Sequence, residues 1–263
     1  MLDALRREVC DANCRLAGSG LVTLTWGNTS GLDRARGLMV IKPSGVPYEA
    51  LRPEQMVVLD LEGKVVEGDL RPSSDTAAHL VLYRHFEHVG GITHTHSRYA
   101  TAFAQARREI PCLGTTHADQ FAGPVPVTRQ LTEAEVAEDY EGSIGRVIVE
   151  RFRGDCPDFR AGTVPIFAAG AAKMGLSPLG DQGPDPSAMP AALVAGHGPF
   201  TWGSSAADSV QVAIALEAVA QMAVLSWRIN AETPELEPYL REKHFLRKHG
   251  PAAYYGQERK GEG

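Results

Sequence analysis

The chain has 263 residues, 43% hydrophobic and 22% charged, which suits a globular protein long enough to bury a substantial core. A net charge of −6 with no block of Lys or Arg argues against nucleic-acid binding. No apolar run follows a basic N-terminus, and four cysteines without framework spacing suit a reducing compartment, so the expected location is the cytoplasm.

In chain order, the first twenty residues read as an amphipathic helix ended by AGSG. Cys10 and Cys14, one turn apart, are expected there as small buried side chains rather than a thiol metal pair. LVTLTWGNTSGLD reads as a strand running into a Gly/Asn/Ser turn. GLMVIKP and MVVLDLEGKVVEG continue as strands, the second broken at Glu-Gly. PSSDTAAHLVLYRHF opens on capping residues and spaces Ala78, Leu82 and Phe86 four apart, as a helix with a buried stripe would. GGITHTH reads as a strand, RYATAFAQAR as a helix, and RVIVERF and AALVAGHGPFTWG as strands again.

Between them, Gly and Pro crowd the stretch from Gly154 to Pro190, which predicts an inserted surface loop at about residues 155–187. The apolar run SVQVAIALEAVAQMAVLSW keeps Glu217, Gln221 and Arg228 on one face, the pattern of a core helix and not of a membrane span. The tail is basic and aromatic, then polar and glycine-rich, with residues 258–263 expected to be disordered. The alternation predicts one α/β domain over residues 1–257, with a sheet between helices.

The candidate chemistry centres on GGITHTHSRYATAFAQ. Residues i and i+2 of a strand share a face, so His94 and His96 present their imidazoles together, half of a metal site or two solvated histidines. Asp75, at the mouth of the PSSD helix, and His197, between glycines in AGHGPF, complete a three-imidazole, one-carboxylate set that a divalent ion accepts. Taken singly, Asp75 reads as a helix cap and His197 as a turn residue. Three turns have the chemistry of a phosphate pocket: Gly27 and Asn28 in GNTS; Lys42, Ser44 and Gly45 in IKPSGV; and Ser73 and Ser74 at a helix N-terminus. Each alone is equally a structural turn.

Seven ordered motifs carry more. LVTLTWGNTS, VIKPSGV, VVEGDLRPSSDT, GGITHTHSRYAT, GTTHADQF, HGPFTWG and KHFLRKHGPAAYYGQ together resemble the epimerase branch of the class II aldolase/epimerase family, from about residue 1 to Gln257. The resemblance implies a three-layer α/β/α domain around a mostly antiparallel sheet. It also implies a divalent metal on Asp75, His94, His96 and His197, most often zinc, with manganese or cobalt as alternatives.

Gly27, Asn28, Lys42, Ser44, Gly45, Ser73 and Ser74 would contact substrate, with His244 and Arg247 near its phosphate. Asp119 and Tyr255 would be the acid/base pair. The implied partners are a pentulose phosphate and further copies of the chain, in a homotetramer whose sites lie between subunits; neither nucleic acid nor membrane is implied. The implied reaction is C4 epimerisation of L-ribulose 5-phosphate to D-xylulose 5-phosphate by cleaving and re-forming C3–C4. Fuculose-phosphate-type aldolases of the family carry Glu at position 75, and the shorter Asp75 favours the epimerase over that alternative. A non-catalytic scaffold ranks below both, since all four ligands are present. Two departures are the insertion and Ala195, where such epimerases carry a histidine.

Overall fold

A computed structural model describes residues 2–154 and 183–254. Its strands are β1 (Gly27–Asp33), β2 (Leu38–Ile41), β3 (Val57–Asp60), β4 (Val65–Glu67), β5 (Gly91–Thr95), β6 (Ala191–Leu193) and β7 (Pro199–Gly203). The helices are α1 (Asp3–Gly18), α2 (Thr76–His85), α3 (Arg98–Ala106), α4 (Thr115–Ala118), α5 (Glu133–Arg153), α6 (Ala206–Ile229) and α7 (Pro238–His249). The strands form one sheet in the order β4-β3-β2-β1-β5-β7-β6, each neighbouring pair antiparallel.

Alternation along the strands divides the interior between the two faces. Met39, Ile41, Val57, Leu59, Ile92 and Phe200 join Leu82 of α2 and Ile148 of α5 in the larger core. Val40 and Val58 turn the other way, toward Val9 and Leu16 of α1 and Val210 of α6. This is the expected three-layer arrangement. The long apolar helix α6 lies against β5 and β7 through one buried face, and Met222, Leu225 and Ile229 are exposed on it. Its Glu217 carboxylate accepts the Tyr99 and Ala100 N–H groups (2.8 and 2.9 Å), serving the exposed donors at the start of α3.

Three local expectations are corrected. LVTLTWGNTSGLD is not a strand running into a turn: LVTLTW holds only an isolated Thr23–Trp26 bridge, and GNTSGLD is β1 itself, central in the sheet. Its small residues are there for packing: a Cβ on Gly31 would come within 2.9 Å of Leu5 and Val9 of α1. RVIVERF is the last part of α5 rather than a strand. Ile144, Val147, Ile148 and Phe152 are buried at helical spacing, so tertiary packing overrides a β-branched run. Cys14 is exposed, whereas Cys10 is buried. Most of the expected insertion (155–182), Tyr255 and the tail 258–263 lie outside the described residues.

Candidate metal centre

β5 runs through the sheet between β1 and β7 and delivers His94 at its end on the α2 side. Thr93, facing the other way, shares hydroxyl contacts with Thr29 (2.9 Å) and Ser209 (2.7 Å). His96 follows immediately beyond the strand. His197 sits in the tight turn between β6 and β7, where its N–H donates to the Val194 carbonyl (2.9 Å). Gly198 keeps this turn against β5, because a Cβ there would stand 2.7 Å from the Thr95 carbonyl oxygen.

The three imidazoles converge. His94 Nε2 lies 3.1 Å from His96 Nε2 and 3.1 Å from His197 Nε2. All three residues offer a ligand atom within 4.8 Å of the others. Zinc–imidazole bonds of about 2.0–2.1 Å put two tetrahedral ligand nitrogens about 3.3 Å apart, so the spacing fits a shared ion. His94 Nδ1 faces the Pro199 carbonyl oxygen at 2.9 Å. A carbonyl only accepts, so the ring proton belongs on Nδ1 and the Nε2 lone pair points at the cluster. The ring also stacks on Phe200 (centroids 4.3 Å apart), which fixes its plane.

Burial, reinforced by the neighbouring rings, pushes His197 down to about 4 and also lowers His96. Both are therefore neutral near pH 7, the form that ligates a metal.

Asp75 stands at the head of α2 without capping it through its side chain. Instead, Asn28 Nδ2 donates to its Oδ2 at 2.6 Å. Burial works to raise this carboxyl, but His94, His79 and the Asn28 amide outweigh it and hold it below the ordinary carboxylate value. The other end of that amide, Asn28 Oδ1, is buried without a hydrogen-bond partner.

These groups share one pocket of about 350 Å³. Its walls include the three histidines, Asp75, and all seven residues of the predicted phosphate turns: Gly27, Asn28, Lys42, Ser44, Gly45, Ser73 and Ser74. Gly27 is required where it stands: its φ is +131°, and a Cβ would lie 3.0 Å from the His94 carbonyl oxygen. Lys42 is 2% exposed, and its ammonium donates to the Pro43 and Val46 carbonyls (3.2 and 2.8 Å) over the Tyr48 ring. Burial lowers its pKa.

The sequence reading missed Trp26, Tyr140 and Glu141, which line the same pocket. The last two come from α5, which breaks helical geometry at Asp139 (φ −163°, ψ 79°). The Asp139 carboxylate accepts the Gly142 N–H (3.2 Å), an N-cap signal that D-Y-E-G does carry in the sequence.

Asp119, His244 and Arg247 do not line this pocket in their own chain. They form a separate cluster where α7 meets the end of α4. Arg247 donates through Nε and Nη2 to the two Asp119 oxygens (2.9 and 2.7 Å), and His244 Nδ1 lies 3.1 Å from Oδ1.

The metal-ready triad and the sheet beneath it have counterparts in known proteins. Residues 7–224 match the model of the class II aldolase and adducin N-terminal domain. The chain belongs to that family. It is 48% identical over 257 residues to L-ribulose-5-phosphate 4-epimerase UlaF of Salmonella paratyphi C (strain RKS4594), covering 98% of this chain and 100% of the relative. An L-fuculose 1-phosphate aldolase superposes with a TM-score of 0.68 at 23% identity, over 92% of this chain and 94% of that one. The L-fuculose-1-phosphate aldolase of Thermus thermophilus does so with a TM-score of 0.60 at 22% identity, over 87% and 97%. These two structures share the class II aldolase fold. Class II aldolases depend on a divalent metal, and His94, His96 and His197 form a group able to bind one.

Proposed function

We propose that the chain is a divalent-metal-dependent epimerase that converts L-ribulose 5-phosphate to D-xylulose 5-phosphate, working in the cytoplasm as a zinc enzyme. The observation that carries the reading is that the candidate cation ligands and the candidate anion-binding groups line one pocket. Three imidazoles converge beside a buried ammonium, the Ser44 turn and the serine-bearing head of α2, in a space of about 350 Å³, the size of a small-molecule site. A ketose phosphate presents both features, vicinal oxygens at one end and a dianion at the other. The 48%-identical relative named for this reaction supports the choice among ketose phosphates, as does aspartate at position 75.

The hydrogen on C4 of the ketose phosphate is not acidic, so inversion there requires breaking C3–C4 and re-forming it on the other face of the aldehyde. When bound, the divalent ion supplies positive charge beside the ketose oxygens, lowering the cost of the negative charge that develops during cleavage. His94, His96 and His197, with Asp75, hold that ion. Lys42, Ser44, Gly45, Ser73 and Ser74 anchor the phosphate, so the aldehyde fragment turns without leaving. Asn28 lines the same pocket, with its Nδ2 committed to Asp75.

Asp119 and Tyr255 exchange the C4 hydroxyl proton from opposite sides. Asp119 lies outside the pocket of its own chain, which supports a homotetramer in which a neighbour supplies it, together with His244 and Arg247.

An NMR time course of purified, metal-analysed protein with L-ribulose 5-phosphate tests the reading. Appearance of D-xylulose 5-phosphate is expected. Net release of glycolaldehyde phosphate without the epimer would make the chain a sugar-phosphate aldolase instead.

A further inference from the structure

Two of the three converging histidines have a partner at the nitrogen facing away from the cluster. For His94 that is the Pro199 carbonyl. For His197 it is a side chain from a distant helix: Tyr140 Oη lies 3.0 Å from His197 Nδ1. The two rings are 6.2 Å apart between centroids.

We propose that Tyr140 is a positioning residue for the metal, fixing His197 in the tautomer and orientation that present Nε2 to the ion. Offering Nε2 as a ligand requires the ring proton on Nδ1, and the phenol oxygen accepts it. Main-chain geometry places the phenol there. α5 breaks at Asp139, whose carboxylate accepts the Gly142 N–H and pairs with Arg146 (2.9 Å), so a second helical segment starts at the pocket rim. Tyr140 is the first residue of that segment, 38% exposed, with its hydroxyl turned into the pocket wall. His197 lies in a β-turn with Gly196 at φ +74°, its ring stands 4.9 Å from those of His94 and His96, and the hydrogen bond at its Nδ1 is with Tyr140. The side-chain bond to Tyr140 therefore sets the ring's rotation.

The assignment rests on the metal reading above, and the experiment separates the two. Wild type, Tyr140→Phe and His94→Asn are stripped with chelator and titrated with Zn²⁺ against a competing chromophoric chelator. Co²⁺-loaded samples are recorded in the visible range. Tyr140→Phe keeps the ring and its packing but removes the acceptor. It is expected to weaken zinc binding 10–100-fold, the usual scale for losing a partner of a ligating histidine, and to shift the cobalt d–d bands. Circular dichroism of the stripped protein should be unchanged. A Tyr140→Phe affinity within twofold of wild type, with the same cobalt spectrum, overturns the role of Tyr140 and leaves the metal site standing. Wild type that binds no more tightly than His94→Asn removes the metal site, and Tyr140's role with it.

Discussion

Arg247 offers the sharpest test of the second cluster. Its guanidinium grips both Asp119 oxygens, at 2.9 and 2.7 Å, with the two side chains 23% and 15% exposed. Burial alone would raise the Asp119 carboxyl, but Arg247 and then His244 outweigh it and hold it below the ordinary value of about 3.9. Charge-assisted hydrogen bonds contribute about 1.5–3 kcal/mol, and the partial exposure here places the pair near the low end.

Arg247 also holds the Asp119 carboxylate in place, so Arg247→Met is expected to slow turnover by about tenfold, equivalent to about 1.4 kcal/mol of transition-state stabilisation. With the cation gone the carboxyl pKa rises, so the acidic limb of kcat/KM should move to higher pH. Asp119→Asn should cost about a hundredfold or more, the scale of a lost general acid or base. If Arg247 acts through Asp119, the double variant should be no slower than Asp119→Asn within about threefold; independent roles would multiply. A coupled assay for D-xylulose 5-phosphate across pH measures all four proteins. Unchanged turnover and an unmoved acidic limb in Arg247→Met would refute the coupling. A raised KM with kcat intact would instead put Arg247 on the substrate phosphate.

Chelation should abolish activity and Zn²⁺ restore it. Zinc at a hundred times its Kd should stabilise the fold by about 2.7 kcal/mol in a melting assay, and His94→Asn should lose that increment. Lys42→Met should raise KM for the phosphorylated ketose by about tenfold or more while sparing zinc content, because it removes a buried cation from the phosphate end only. His79, fully buried beside Phe200, is held down to about 3 by desolvation. The unfolded chain binds that proton from about pH 6.5 downward. Its contribution to stability is therefore present above pH 6.5 and lost progressively between there and pH 3. His79→Gln should flatten that part of the Tm-against-pH curve.

Local signals carried most of the site. The H-x-H pair is legible as an alternation on a strand, although only His94 lies within β5, with Thr93 buried on the reverse, and His96 follows just beyond it. Lys42, Ser44 and Gly45 are legible as a turn and Ser73 and Ser74 as a helix start, whereas Gly27 and Asn28 belong to β1; all seven candidate residues line one pocket. What local signals missed depends on contacts between distant segments. RVIVERF has a strand's composition, and only packing on α2 makes it a helix. GNTSGLD has a turn's composition, yet the approach of Leu5 and Val9 demands small residues in a central strand.

Tyr140 and Glu141 were invisible for the same reason: no spacing within α5 reports that its break opens onto β5. The Asp139 break and the Gly198 turn bring α5 and the β6–β7 connection to the end of the same strand. The candidate metal pocket is therefore a product of sheet order. With β1 on one side of β5 and β7 on the other, Asn28 pairs directly with His94, as does Phe200. A shift of either neighbour by one residue would turn Asn28 or Phe200 to the opposite face. The pocket would then lose the amide that holds Asp75 or the ring that His94 stacks on, with every ligand still present in the sequence.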